Sequence, residues 1–258
     1  MSLLSLILLG ALQGLLEWLP VSSTTMLAAT ASALGVGGPQ LHSLMPGMHL
    51  GAVCALAAGY WREYAEALSP EAWEFQGLFL VSSMAGTAVT GVPAYIAARQ
   101  FPGSPYLKVA VALAATAAAA AMTAAVLLSP SNTRGCAVPP VPLGVRGSFG
   151  LGLIQGLAVL PGLSRTGVTV AYLISMGLEP GEAFLWSFYV GGPPVLAFSL
   201  YELLAEGGLP GMGIAATAAS FAAGFASIYL AVKLSEGAGR LWAALAVAGG
   251  LVFPLLFL

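Results

Sequence analysis

Gln13-Gly-Leu-Leu-Glu17-Trp-Leu-Pro20-Val-Ser22-Ser23-Thr24-Thr25 interrupts an apolar run from Leu3 to Leu34, in which Glu17 is the only formal charge. A carboxylate at membrane depth costs several kcal/mol, roughly 3 or more, unless something pairs with it. Gln13 and Glu17 are four residues apart, so a helix puts them on one face where they converge on one ligand. Pro20 ends that helix, and four hydroxyls follow before apolar periodicity resumes at Met26. Hydroxyls in front of a helix cap it, and the free backbone N–H groups there make an anion site. An acid, an amide and an N-terminal hydroxyl cluster within an apolar run point to phosphate chemistry in a membrane.

The pattern returns as Gln155-Gly-Leu-Ala-Val-Leu-Pro161-Gly-Leu-Ser164-Arg165-Thr166-Gly-Val-Thr169. Aligned on the prolines, Ser23 matches Ser164, Thr25 matches Thr166, and Arg165 replaces Thr24. Ala158 stands where Glu17 stands. One copy carries the acid, the other the cation. Paired short segments interrupted by Gly and Pro are the sign of discontinuous helices in an internally repeated membrane protein.

Composition agrees. The 258 residues are 59% hydrophobic and 7% charged, with mean hydropathy +0.92, whereas soluble domains carry about 25% charged residues. The apolar runs are continuous, which argues for helices over an alternating β-barrel. There is no basic tract for nucleic acid. Asp is absent, so protein carboxylates for a metal must come from Glu. Cys54 and Cys136 suggest neither a metal site nor a disulfide framework. The N-terminus reads as lacking a removable signal peptide.

Leu3 to Leu19 and Thr24 to Val36 are short for full spans, which need about 20 residues, and read as a re-entrant hairpin. Phe149 to Leu160 and Arg165 to Met176 read as a second one. Spans are expected at Leu44 to Trp61, Gly77 to Ala98, Val109 to Leu128, Ala183 to Leu203, Gly213 to Val232 and Leu241 to Leu258. A Gly/Pro/His loop precedes the first span, Arg62 to Glu74 reads as an exposed loop, and Arg99 to Lys108 as another. Ser129 to Gly147 divides the halves. The expected fold is an all-α integral membrane protein: a single transmembrane domain over 1–258, with six transmembrane helices and two re-entrant helical hairpins. It forms an inverted-topology internal repeat, with repeat 1 about 1–128 and repeat 2 about 148–258. Arg62, Arg134, Arg146, Lys233 and Arg240 fall on one side, taken as inside; Arg99, Lys108 and both termini fall on the other.

These residues resemble the undecaprenyl-diphosphate phosphatase, or bacitracin-resistance, family. Its pattern is (E/Q)-x-x-x-E followed by P-V-S-S-T, and later P-G-x-S-R-[ST]-x-x-T; Gln13, Glu17, Pro20 to Thr24 and Pro161 to Thr169 fit it. His49-Leu-Gly51 to Tyr60-Trp61-Arg62 resembles a further family segment. The resemblance implies a multi-pass enzyme of the plasma membrane. It would remove one phosphate from a polyprenyl diphosphate and so recycle the lipid carrier of envelope glycans. It also implies a site opening to the outer face and a divalent cation (Mg2+ or Ca2+); a homodimer is compatible with it. Carried over, Glu17 is the essential acid and metal ligand, Ser23 the hydroxyl at the phosphate and Arg165 the phosphate clamp. Gln13, Ser22, Thr24, Ser164, Thr166 and Thr169 are the remaining candidate substrate contacts. One departure stands out. The family usually places Gly-His after S-S-T, where this chain has Thr25 and Met26. His49 is then expected to face the Gln13–Glu17 pair and to move the proton. Capping is the plainer role for Ser22, Ser23, Ser164 and Thr166. His42 is expected at the surface. Transport is the rival to hydrolysis, since inverted repeats with broken helices also build transporters. The division into an acid half and an arginine half suits chemistry better.

Overall fold

The computed structural model describes residues 1–100, 143–160, 162–205, 211, 213–230 and 233. Among these every regular element is a helix. They are α1 (Leu3–Glu17), α2 (Ser23–Ala33), α3 (Gly38–Gly59), α4 (Trp61–Ala67), α5 (Pro70–Gln100, with a π-helical turn over Trp73–Gly77), α6 (Gly144–Leu157), α7 (Arg165–Ser175), α8 (Pro180–Ala205) and α9 (Gly213–Leu230). Four of them, α3, α5, α8 and α9, are long and apolar enough to cross a membrane. They coincide with four of the expected spans. The spans expected at Val109 to Leu128 and Leu241 to Leu258 lie outside the described residues, as do Lys108, Arg134, Cys136, Pro161 and Arg240.

Large apolar side chains are exposed in groups, among them Leu3, Leu4, Ile7 and Leu8 on α1, Val81, Val89, Val92 and Ile96 on α5, and Phe221, Phe225 and Tyr229 on α9. Patches of this extent suit hydrocarbon rather than water. The fold therefore defines a multi-pass helical membrane protein.

Both short helix pairs end alike. After α2, Val36 N–H donates to Ala31 O and Gly35 N–H to Ser32 O; after α7, Leu178 N–H donates to Leu173 O and Gly177 N–H to Ile174 O. These are Schellman closures. They need left-handed residues, supplied by Gly35 (φ 68) and Gly177 (φ 98). Leu27 and Ala31 of α2 pack on Leu6 and Leu9 of α1, so α2 folds back along α1.

The two QGL helices are seated by close backbone approach. A Cβ on Gly10 or Gly14 would come within 2.1 Å of Ala216 O or Ser220 O of α9, and one on Gly152 within 2.0 Å of Ser83 O of α5. Only glycine permits such contact, the small-residue packing by which helices associate where water gives no hydrophobic drive. Hydroxyls stitch the same seams: Ser227 Oγ donates to Leu15 O at 2.5 Å and Thr90 Oγ1 to Leu153 O at 2.7 Å.

Three expectations are corrected. Arg62 to Glu74 is not a loop but α4 and the start of α5. Glu, Ala and Arg favour helix, Ser69 caps the second segment by accepting from Ala72 N–H, and Pro70 takes the first helical position. The Gly/Pro/His loop is likewise helical from Gly38. Pro39 opens it and the Gln40 side chain accepts from Gly37 N–H. His42 is exposed, as expected, but on this helix. The boundary segment is also shorter than expected, because α6 begins at Gly144.

Candidate active site

The site lies where the tips of the two short helix pairs meet. Glu17, the last residue of α1, has a side chain only 8% exposed. Its Oε2 accepts from Gln13 Nε2 at 2.8 Å, one turn back, and from Ser23 Oγ at 3.2 Å, across the break made by Pro20. His49 Nε2 of α3 lies 3.6 Å from the same oxygen. The other carboxylate oxygen, Oε1, faces Arg165 Nη2 at 3.5 Å. The expected convergence of Gln13, Glu17, Ser23, His49 and Arg165 is therefore found, including the facing of His49 onto Glu17.

His49 Nδ1 lies 3.0 Å from Met45 O. A carbonyl only accepts, so Nδ1 carries a hydrogen and Nε2 is the nitrogen turned toward Glu17.

Arg165 opens α7, where its charge is set beside an apolar wall. Its guanidinium carbon lies 4.9 Å from the centroid of the buried Trp18 ring. Nη2 donates to Glu17 O at 3.3 Å, so the cation holds both the backbone and the side chain of the acid. Nε and Nη1 are buried without a hydrogen-bond partner among the described residues. Buried N–H donors of a charged group are costly to leave unpaired. Nη1 rests against Gly191, while Nη2 is turned to Glu17, and an oxyanion ligand drawn to the guanidinium would satisfy such donors.

The hydroxyls of the second tip are committed within the protein. Ser164 Oγ caps α7 by accepting from Gly167 N–H at 3.1 Å, and Thr166 Oγ1 donates to Glu17 O at 3.2 Å. Thr169 Oγ1 donates to Arg165 O at 2.9 Å and lies 2.6 Å from Ser187 Oγ. At the first tip Ser22 Oγ and Thr25 Oγ1 pair at 2.9 Å, Ser22 makes no side-chain cap bond, and Thr24 is exposed. Met26, at the family's histidine position, is half-buried in the first turns of α2.

Three contributors escaped the sequence reading. Trp18 forms the wall for the guanidinium. Gly191 lies beneath it: a Cβ there would sit 1.8 Å from Arg165 Nη1. Tyr64 lies beyond, its hydroxyl bonded to Tyr189 O. The Gly191-Gly192-Pro193-Pro194 run was the available signal, since two glycines before two prolines mark a broken helix with bare backbone.

Short broken helices that bring an acid, an imidazole, a hydroxyl and an arginine to one point define the class: a helical membrane protein with a charged polar cluster between paired helix tips. Comparison then places the chain. It belongs to the family described as bacitracin resistance protein BacA, which matches residues 6–251. It is similar to undecaprenyl-diphosphatase of Haloarcula marismortui, at 33% identity covering 95% of this chain and 94% of the relative. It is also similar to the proteins of that name from Rhizorhabdus wittichii, at 32% identity covering 79% and 76%, and from Methanothrix thermoacetophila, at 29% identity covering 94% and 93%.

Proposed function

We propose that the protein hydrolyses undecaprenyl diphosphate, or a related polyprenyl diphosphate, to the monophosphate and inorganic phosphate. The observation that carries this reading is the Arg165 guanidinium, with Nη2 set against the Glu17–Ser23 pair, in a chain of this family. A guanidinium offers parallel donors matched to phosphate oxygens and remains charged during transfer. The relatives named above carry a hydrolase name and give transport no support.

In the proposed mechanism Arg165 holds the terminal phosphoryl group and neutralises the charge that builds on its oxygens. Ser23 supplies the attacking oxygen, and its proton passes to Glu17, which already accepts from it. The P–O bond to the lipid monophosphate breaks, and water then releases phosphate from Ser23. His49 Nε2, beside Glu17, takes the proton of that water, and Glu17 returns its own proton to Ser23 Oγ as the Oγ–P bond breaks. Gln13 holds the carboxylate in place.

A divalent cation fits this tip in part. Glu17 and the buried Gln13 Oε1, unpartnered among the described residues, are hard oxygen donors. Among the described residues no three His, Cys, Asp or Glu side chains group for a metal, so the substrate's phosphates would provide the remaining ligands. When bound, the cation would add positive charge at the diphosphate.

We also read the chain as a single transmembrane domain of two inverted repeats, each with one re-entrant hairpin, with the site opening to the outer face of the plasma membrane. Matching Schellman ends and matching glycine seams support the repeat. In this reading α1, α2, α3 and α5 of the first half correspond to α6, α7, α8 and α9 of the second.

The test is phosphate release by purified protein in detergent, where there is no membrane to transport across, over a series of lipid diphosphates with and without chelator. Release of phosphate from the polyprenyl diphosphate is expected; substrate turned over at the rate of a protein-free control would overturn the reading.

A further inference from the structure

Pro193 and Pro194 interrupt α8. Neither has an N–H, so the carbonyls four residues earlier, Tyr189 O and Val190 O, lose their helical partners. Buried carbonyls need another donor. Each has one, from a different helix. Tyr64 Oη of α4 donates to Tyr189 O at 2.9 Å, and Gln155 Nε2 of α6 donates to Val190 O at 3.4 Å. Both donors are themselves held. The Tyr64 ring stacks on Tyr189 with centroids 5.0 Å apart, and Gln155 Nε2 also donates to Thr87 Oγ1 at 2.9 Å.

Between these bonds and the prolines lie Gly191 and Gly192. A Cβ on Gly191 would meet Arg165 Nη1 at 1.8 Å, and one on Gly192 would meet Tyr64 Oη at 2.3 Å. The arginine thus rests on the bare backbone of the broken turn, and the turn's position is fixed by Tyr64 on one side and Gln155 on the other. Gln155 also resolves a question left by the repeated QGL motif. Gln13 holds the acid directly; its counterpart holds the floor beneath the cation.

We propose that Tyr64 and Gln155 are positioning residues for Arg165. By taking the two carbonyls freed by Pro193 and Pro194, they set the height of Gly191 and so the direction in which the guanidinium presents its N–H groups to a diphosphate. This rests on the reading of Arg165 as the phosphate clamp. The alternative is that the two bonds merely stabilise α8, in which case their loss would act equally whether or not an arginine stands above Gly191.

The experiment is a pair of double-mutant cycles on the full chain: Tyr64→Phe and Gln155→Leu, each alone and combined with Arg165→Lys. Two quantities are read, kcat/KM for phosphate release and Kd for farnesyl methylenediphosphonate, a diphosphate analogue that is not hydrolysed. Each single variant is expected to weaken both by about tenfold, and to add less than about twofold to Arg165→Lys, because residues acting through one group are not additive. Equal losses in the two backgrounds, or an unchanged Kd in both single variants, would overturn the proposal. Should Tyr64→Phe fail to give monodisperse protein, Gln155→Leu decides the matter by the same criterion. Arg165→Lys alone separates the two failures. If it binds the analogue as the wild type does, the clamp reading falls, and the proposal with it. If it is defective and the cycles are additive, only the positioning role falls.

Discussion

The tip between α1 and α2 and the tip between α6 and α7 grow from the same sequence pattern and spend their hydroxyls differently. In the second, Ser164 caps α7, Thr166 binds the Glu17 carbonyl and Thr169 binds main chain and Ser187, so each hydroxyl is used to hold the fold. In the first, Ser22 does not cap, and Ser23 donates to a carboxylate. The second tip gave up conformational choice to seat one buried cation. The first kept a hydroxyl beside an acid. In the proposed mechanism, chemistry sits where the capping bonds were not made.

Substitutions at corresponding positions should break this contrast if it is wrong. Ser23→Ala is expected to lower phosphate release by roughly 10³-fold or more, as loss of a nucleophile does, with unfolding temperature unchanged. Ser164→Ala should do the reverse, costing about 1 kcal/mol of stability as a lost cap does and leaving kcat within a few fold. Equal effects of the two on activity would erase the distinction.

Arg165→Lys keeps the charge and loses the planar fork. Activity is expected to fall by about 10²-fold or more, close to the effect of Arg165→Ala. Restoration by lysine would mean a point charge suffices at the second tip. Glu17→Gln preserves shape at the first tip and removes its charge. A loss of about 10²-fold with an unaltered melting curve is expected, and activity within about threefold of wild type would remove Glu17 from the chemistry.

The smallest expected effect concerns the imidazole. His49→Ala should cost about 10²-fold or less, the low end for proton transfer by a positioned base. Met26→His restores the family's histidine on α2, and it should rescue His49→Ala if the two positions serve one role. Rate constants for the two single variants and the double variant read that coupling directly.

Much of this was legible in the sequence because single-residue chemistry is local. A lone acid in an apolar run, a proline three residues after a helical pair, and an arginine at the matching break fixed the tips and their partners. The four described spans followed from apolar length alone. What escaped depends on contacts across the chain. Tyr64 and Tyr189 are bonded across 125 residues, and no periodicity links them. The α4 segment was missed because its charges read as a solvated loop, although Trp61-Arg-Glu-Tyr-Ala-Glu-Ala67 is also good helix-forming sequence. Trp18 is fully buried against a guanidinium from the other half of the chain, a contact that no local pattern announces.

The ion pair of Glu17 and Arg165 spans 148 residues of chain, and chains are made in order. At a synthesis rate of about 5–20 residues per second, the acid emerges roughly 7–30 s before its cation. The Gly10–Gly14 face waits longer still, because α9 is made after both tips. A charged, unpaired Glu17 could not enter the hydrocarbon during that interval without a penalty of several kcal/mol. Until then Glu17 has, among the described residues, only Gln13, Ser23 and His49 beside it. The pairing of acid with cation waits on the making of a single arginine.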